Sequence, residues 1–354
     1  MPTSNSLPLV SILVAYYNNL PHIEEAIKSA VNQTYKNIEI IVVDDCSPDE
    51  EARILIDSLS KVYGFKLIRS EKNKGASASF QIALENSSGE YISILSHDDL
   101  YQDNKIELCM NSILKENLDA VYGNGGAFTS LDKGITPFST DEVVSALAEG
   151  QHKVAELISS SDEIGCLLTQ GAVYSRNVMD DLAWMRDKFI LDDWPFTIKV
   201  WRDYKVGYVD EVVYLYRLHD DNIHKNYWRW FPARVQTVAE LIEPDNKLDV
   251  LSFLMTSMSG ASKGDSNFDD AYKFALAALV LADSDKNRNA ALKLLGRLDN
   301  KVSSSKKDEI NSVLKSMFLR KTLSYKLYII VMRVILGLIP IKKKRKALKK
   351  KFNI

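Results

Sequence analysis

Between Val10 and Leu95, short β-branched runs alternate with helical stretches. Val10–Ala15, Ile38–Val43, Lys66–Arg69 and Tyr91–Leu95 read as strands, with Ile23–Val31, Glu50–Tyr63 and Ala76–Glu85 as the helices between them. Runs such as IEIIVVDD suit strands covered on both faces, and the intervening helices are the crossovers that a parallel sheet requires. The expected fold class is therefore α/β: a Rossmann-like, mostly parallel sheet with helices on both faces. Ligands in such sheets sit at the carboxyl ends of strands. Polar residues gather at those ends: Tyr16, Tyr17 and Asn18 after the first strand, Asp44 and Asp45 after the second, His97, Asp98 and Asp99 after the fourth.

Beyond Lys105 the pattern gives a helix, a strand at Ala120–Tyr122, and a less regular stretch through GNGG to about residue 150. Residues 231–300 carry helical runs such as LDVLSFLMTSM and DAYKFALAALVLA with few strand signals, so a small helical domain is expected there. A chain of 354 residues is long for one ordinary domain and accommodates such an appendage.

Composition narrows the function classes. With 46% hydrophobic and 26% charged residues, the chain is neither disordered nor a multi-span membrane protein. Cys46, Cys109 and Cys166 lie far apart without a CxxC pair, against a disulfide framework or a zinc site and in keeping with a reducing cytoplasm. No basic n-region precedes Leu9–Ala15, so that run reads as a strand and no signal peptide is expected. The net charge of −2 divides unevenly: residues 315–354 hold thirteen Lys and Arg and no acid, leaving −15 for residues 1–314. So acidic a body does not suit nucleic acid. In the tail, residues 327–341 are apolar except Arg333, short of the ~20 residues a spanning helix needs, and KKKRKALKKK follows. An apolar stripe beside a polybasic patch predicts peripheral attachment to an anionic membrane surface, on the inner face of the cell membrane.

The pairs Asp44–Asp45, Asp98–Asp99 and Asp192–Asp193 place like charges side by side. A divalent cation, Mn²⁺ or Mg²⁺, is the partner such hard oxygen ligands favour, and it keeps room for substrate phosphate oxygens; helix caps and solvated turns are the plainer alternative.

The blocks VSILVAYYNN, AIKSAVNQTYKNIEIIVVDDCSPD, NKGASAS, ILSHDD, LDDW and YRLHDDN, in that order over about residues 8–224, resemble the family 2 glycosyltransferases, inverting enzymes with the GT-A fold. The resemblance implies a GT-A catalytic domain over residues 1–230, which leaves the helical region at 231–314 and the basic membrane-associating tail at 315–354 read above. It implies a nucleotide-sugar donor contacted by Tyr17, Asp44, Asp45, Asn73, Gly75, Ser96 and Arg217. A carboxylate at Asp44 or Asp45 suits the imide N–H of uracil or thymine, favouring a UDP- or dTDP-sugar. ILSHDD is similar to the family's D-x-D motif: Asp98 takes the metal-binding place and Ser96 replaces the first Asp. His219 completes the metal shell and Arg217 meets the diphosphate. LDDW is similar to the E-D motif, making Asp193 the general base, with Asp192 beside it to raise its pKa, and Trp194 a candidate platform for an acceptor sugar. A further departure is Phe80, where the family often has Arg. With the tail's expected membrane attachment, the role expected is addition of a sugar to a lipid-linked or oligosaccharide acceptor during bacterial polysaccharide or O-antigen assembly. A soluble or protein acceptor and a catalytically silent carbohydrate-binding relative are the alternatives.

Overall fold

A computed structural model describes residues 7–160, 165–182, 193–219, 234, 236–238, 240–242, 247–264, 266–282 and 284–308. The expected tail at 315–354 and Asp192 lie outside the described residues. The chain divides into two compact units: residues 1–158, 163–188 and 192–222 form the first, and residues 159–162, 189–191 and 223–354 the second.

In the first unit the predicted alternation is present: β1 (Val10–Tyr16), α1 (Ile23–Val31), β2 (Ile38–Asp44), α2 (Glu50–Tyr63), β3 (Lys66–Arg69), α3 (Ala76–Glu85) and β4 (Tyr91–Ser96). α1 buries Ile23, Ala26, Ile27 and Ala30, one stripe at helical spacing. α2 starts where Asp49 accepts the Glu51 N–H at 3.0 Å and stops at Gly64, whose φ of +72° a side chain would strain. Next come β5 (Leu100–Tyr101), α4 (Lys105–Glu116), β6 (Ala120–Phe128), β7 (Thr136–Pro137), α5 (Asp141–Glu149), α6 (Gln151–Ser160), β8 (Ala172–Ser175), α7 (Arg176–Leu182), α8 (Asp193–Asp203) and β9 (Val206–Arg217).

The strands join in one mixed sheet of order β3-β2-β1-β4-β8-β6-β9-β5, with β7 on β6. Strands β1 to β4 are mutually parallel, β8 runs against β4 and β6, and β6 and β9 run parallel. This arrangement sends the ends of β1, β2, β4 and β9 to one rim.

The irregular stretch expected through GNGG is in part corrected: β6 continues across it to Phe128, with its register against β9 shifting at Gly123/Asn124 and Asn124/Gly125. A Cβ on Gly125 would lie 2.3 Å from Cζ of Tyr214, and one on Gly123 2.3 Å from Cγ2 of Val213, so glycine lets β9 side chains press onto the strand. Under β4, the wholly buried Lys105 donates to Ser93 Oγ at 2.5 Å and lies 3.5 Å above the Tyr101 ring, while Tyr101 donates to the Ile94 carbonyl at 2.6 Å.

In the second unit, α9 (Lys247–Gly264), α10 (Phe268–Leu281) and α11 (Asp285–Leu298) build a separate core that includes Ala271, Tyr272, Ala275 and Leu298. Buried serines tie its helices: Ser252 donates to the Ala278 carbonyl and Ser259 to the Ala271 carbonyl, both at 2.7 Å.

Candidate active site

The β1–β2 side of the rim is built from main-chain hydrogen bonds to acidic side chains. Asp44, buried at the end of β2, accepts the Ser47 N–H at 3.0 Å and faces Arg69 Nε at 3.4 Å. Asp45 accepts the Lys74 N–H at 2.9 Å and the Gly75 N–H at 2.7 Å, so its carboxylate moors the loop that opens α3. Gly75 reaches that position with a φ of +91°. Asn18 donates its N–H to Ser47 Oγ at 2.9 Å and accepts the Asp49 N–H at 3.1 Å. Between these anchored segments Tyr17 is 43% exposed and Asn73 is exposed, while Tyr16 points into the core. Both acids thus shape the rim, and an exposed tyrosine stands over it.

At the ends of β4 and β9, residues far apart in sequence meet. His219 Nε2 lies 3.0 Å from Asp98 Oδ2. Two ligands at right angles on a six-coordinate ion with ~2.1 Å bonds would be ~3.0 Å apart, so carboxylate and imidazole sit where one divalent ion would take both. No third His, Cys, Asp or Glu converges with them among the described residues. The donor set therefore fits an ion that keeps places for water and phosphate oxygens. Arg217, only 6% exposed, holds the acidic turn from behind: its Nε donates to the Asp98 carbonyl at 2.8 Å, its N–H to Asp99 Oδ1 at 2.9 Å and its Nη2 to Glu25 at 2.5 Å, with Phe128 4.5 Å beneath the guanidinium. The group expected at the diphosphate is thus braced between α1 and the Asp98–Asp99 turn. Burial, with the Asp98 charge beside it, raises the Asp99 carboxyl well above the usual range, against the opposing pull of Arg217, and Asp99 Oδ2 has no hydrogen-bond partner among the described residues.

Ser96, in the place of the missing acid, accepts from Gln170 Nε2 at 2.9 Å. His97 turns away, its Nδ1 3.0 Å from the Ala15 carbonyl and its ring edge-on to Tyr16. Asp193 opens α8, accepts the Trp194 N–H at 2.8 Å and is exposed; the Trp194 indole donates to the Ile158 carbonyl at 2.9 Å and is half-buried. Tyr216 connects the two acidic groups: burial first, then the charges of Asp99, Asp98 and Asp193, push its hydroxyl far above the ordinary range. The structure brings Asp98, His219 and Arg217 into direct contact, with Asp193 near enough for its charge to act on Tyr216. It adds Tyr216, Gln170, Glu25 and His22, whose ring centroid is 5.7 Å from that of His219. His22 is held below its ordinary pKa by burial, then Arg217 and His219. Tyr216 opens the YRLHDDN block, whereas His22, Glu25 and Gln170 carry no sequence signal beyond their places along the chain.

Residues 11–182 match the family model described as Glycosyl transferase family 2. A protein from Haemophilus influenzae described as an uncharacterized glycosyltransferase is 31% identical over 166 residues, 46% of this chain and 66% of that protein. WfgD of Escherichia coli, described as UDP-Glc:alpha-D-GlcNAc-diphosphoundecaprenol beta-1,3-glucosyltransferase, is 38% identical over 117 residues, 33% of this chain and 45% of that protein. The matched stretches thus span less than two thirds of these relatives' own length. Among solved structures, S. aureus TarS 1–349 in complex with UDP-GlcNAc is similar with a TM-score of 0.55 at 16% identity, over 82% of this chain and 90% of that one. The mannosyltransferase PcManGT from Pyrobaculum calidifontis, in complex with GDP-Man and Mn²⁺, gives 0.53 at 17% identity, over 87% of this chain and 84% of that one. At such identities the likeness is one of fold: the α/β GT-A sheet, with helices following it.

Proposed function

We propose, from the premise that the N-terminal domain of this chain belongs to glycosyltransferase family 2, that the protein transfers a sugar with inversion from a UDP- or dTDP-sugar to a lipid-linked glycan in bacterial surface polysaccharide assembly. The observation that carries this is the Asp98–His219 pair, 3.0 Å apart on the rim where the nucleotide-side loops also end. A divalent ion, when bound there, supplies positive charge to a departing diphosphate. Asp98 and His219 would hold it, and Arg217, fixed by Glu25, keeps the Asp98 turn in place. Asp193, at the exposed start of α8, is the carboxylate that takes the acceptor hydroxyl's proton as that oxygen attacks the anomeric carbon. Tyr17 and the Asp44 and Asp45 loops form the base side, with Ser96 and Gln170 toward the ribose and sugar. A UDP-sugar donor and a diphospholipid acceptor are what the name of WfgD states for that relative, which supports the same classes here. The basic tail, with its membrane-surface role, belongs to the same reading.

Calorimetry with UDP, with and without Mn²⁺, tests the centre of this proposal. Wild type binds UDP more tightly with the metal, and Asp98→Ala and His219→Ala lose that gain. Equal UDP affinity in all three proteins at saturating Mn²⁺ would remove the ion from the mechanism. A screen of nucleotide sugars for donor turnover separates an enzyme from a silent binding module, which turns over none.

A further inference from the structure

We propose that His22 contacts the donor's diphosphate, standing one shell outside Asp98 and His219 and donating a hydrogen bond to a phosphate oxygen. This rests on the donor-site reading above and extends it to a residue that no motif marks. His22 immediately precedes α1, where its own N–H is fixed by Asn19 Oδ1 at 3.2 Å. Its ring is inclined at 41° to that of His219, and the charged groups acting on it are those of the rim: Arg217, His219, Asp98 and Glu25. Neither ring nitrogen has a hydrogen-bond partner among the described residues, and the ring is half-buried, with part of its surface open.

Distance decides which ligand it serves. Asp98 Oδ2 and His219 Nε2 are close enough to share an ion, and no third such group joins them among the described residues, so His22 is not placed as a ligand in this arrangement. An oxygen bound to that ion lies ~2.1 Å from it, and a hydrogen bond reaches ~2.9 Å further. The His22 and His219 rings are centred 5.7 Å apart, so an N–H of His22 and an oxygen on an ion held by His219 can come within hydrogen-bond distance of each other. A packing role at the helix start would be filled as well by phenylalanine, which has the ring but no N–H.

That difference supplies the test. With the full chain, UDP, dTDP and GDP are titrated in Mn²⁺ by calorimetry, and the tightest is taken forward to His22→Phe and His22→Gln. Binding of Mn²⁺ alone is followed by electron paramagnetic resonance. Loss of a hydrogen bond to a charged group predicts roughly tenfold or more weaker nucleotide binding in His22→Phe. Mn²⁺ binding and melting temperature stay unchanged, and His22→Gln, which keeps an N–H at similar reach, recovers most of the loss. Wild-type nucleotide affinity in His22→Phe overturns the proposal, as does an equal loss of Mn²⁺ binding, which would make His22 an ion ligand. If wild type binds none of the three nucleotides, the donor-site reading itself fails and this one falls with it. A wild type that binds beside an unaffected His22→Phe sinks the His22 role alone.

Discussion

Lys105 is an ionisable side chain with no access to water, and burial holds its pKa down at about 7 against an ordinary 10.5. Between those values the unfolded chain binds a proton that the folded chain does not, so folding stability rises with pH from 7 to 10.5 and is flat with respect to this group below 7. Lys105→Met removes that slope. The wild-type-minus-variant difference in unfolding free energy, measured by urea denaturation, should therefore climb from pH 7 to pH 10 by a few kcal/mol, at ~1.4 kcal/mol for each pH step of one. At the other functional extreme, Asp193→Asn should lower transfer by about 10² to 10⁴ while leaving UDP affinity within a few-fold, since the base meets the acceptor. Steady-state transfer beside calorimetry checks both halves, and near-wild-type turnover would point to Asp192 instead. Motif residues such as Asp98, Asp193 and His219 can be named from the chain because each sits in a local pattern tied to a strand end or helix start. His22, Glu25 and Gln170 join the site only through pairings across the fold, and no local pattern announces those.

Among the elements, the four parallel strands are legible because each has its own apolar run and its own crossover helix. β5, two residues long, is defined only by its pairing with Leu215 and Tyr214 of β9, and the strand signal of β6 stops at Tyr122 because glycines read as breakers. Here they record pressure from the neighbouring strand. Tyr214 is fully buried and occupies the space a Gly125 side chain would need. Gly125→Ala should therefore cost about 1–3 kcal/mol through overpacking, at ~2–4 °C of melting temperature per kcal/mol for a domain of this size. A melting curve unmoved by the substitution would mean that β9 yields more easily than its packing implies. α1 offers a sharper case. Glu25→Gln keeps the shape of the side chain but removes the charge facing Arg217, so Mn²⁺-dependent UDP binding should weaken severalfold with little change in melting temperature. Direct Mn²⁺ titration separates this from any general loosening.

For the whole molecule, acidic body and basic tail invite a test of location. Intact protein should float with anionic liposomes at low salt and lose most, but not all, attachment by ~0.5 M salt, while a chain cut at residue 314 stays behind; failure of the intact chain to float would withdraw the main support for a membrane-borne acceptor. The order of assembly follows from the sheet. Strands β1, β2 and β3 pair in succession along the chain and β4 closes on β1, whereas Asp98 waits 121 residues for His219 and β5 for its partner β9. At a synthesis rate of roughly 5–20 residues per second, a ribosome needs on the order of ten seconds to deliver that last strand. Throughout that interval the nascent polypeptide carries Asp98 without its imidazole partner, so a translation product stalled short of β9 would lack half of the proposed ion site.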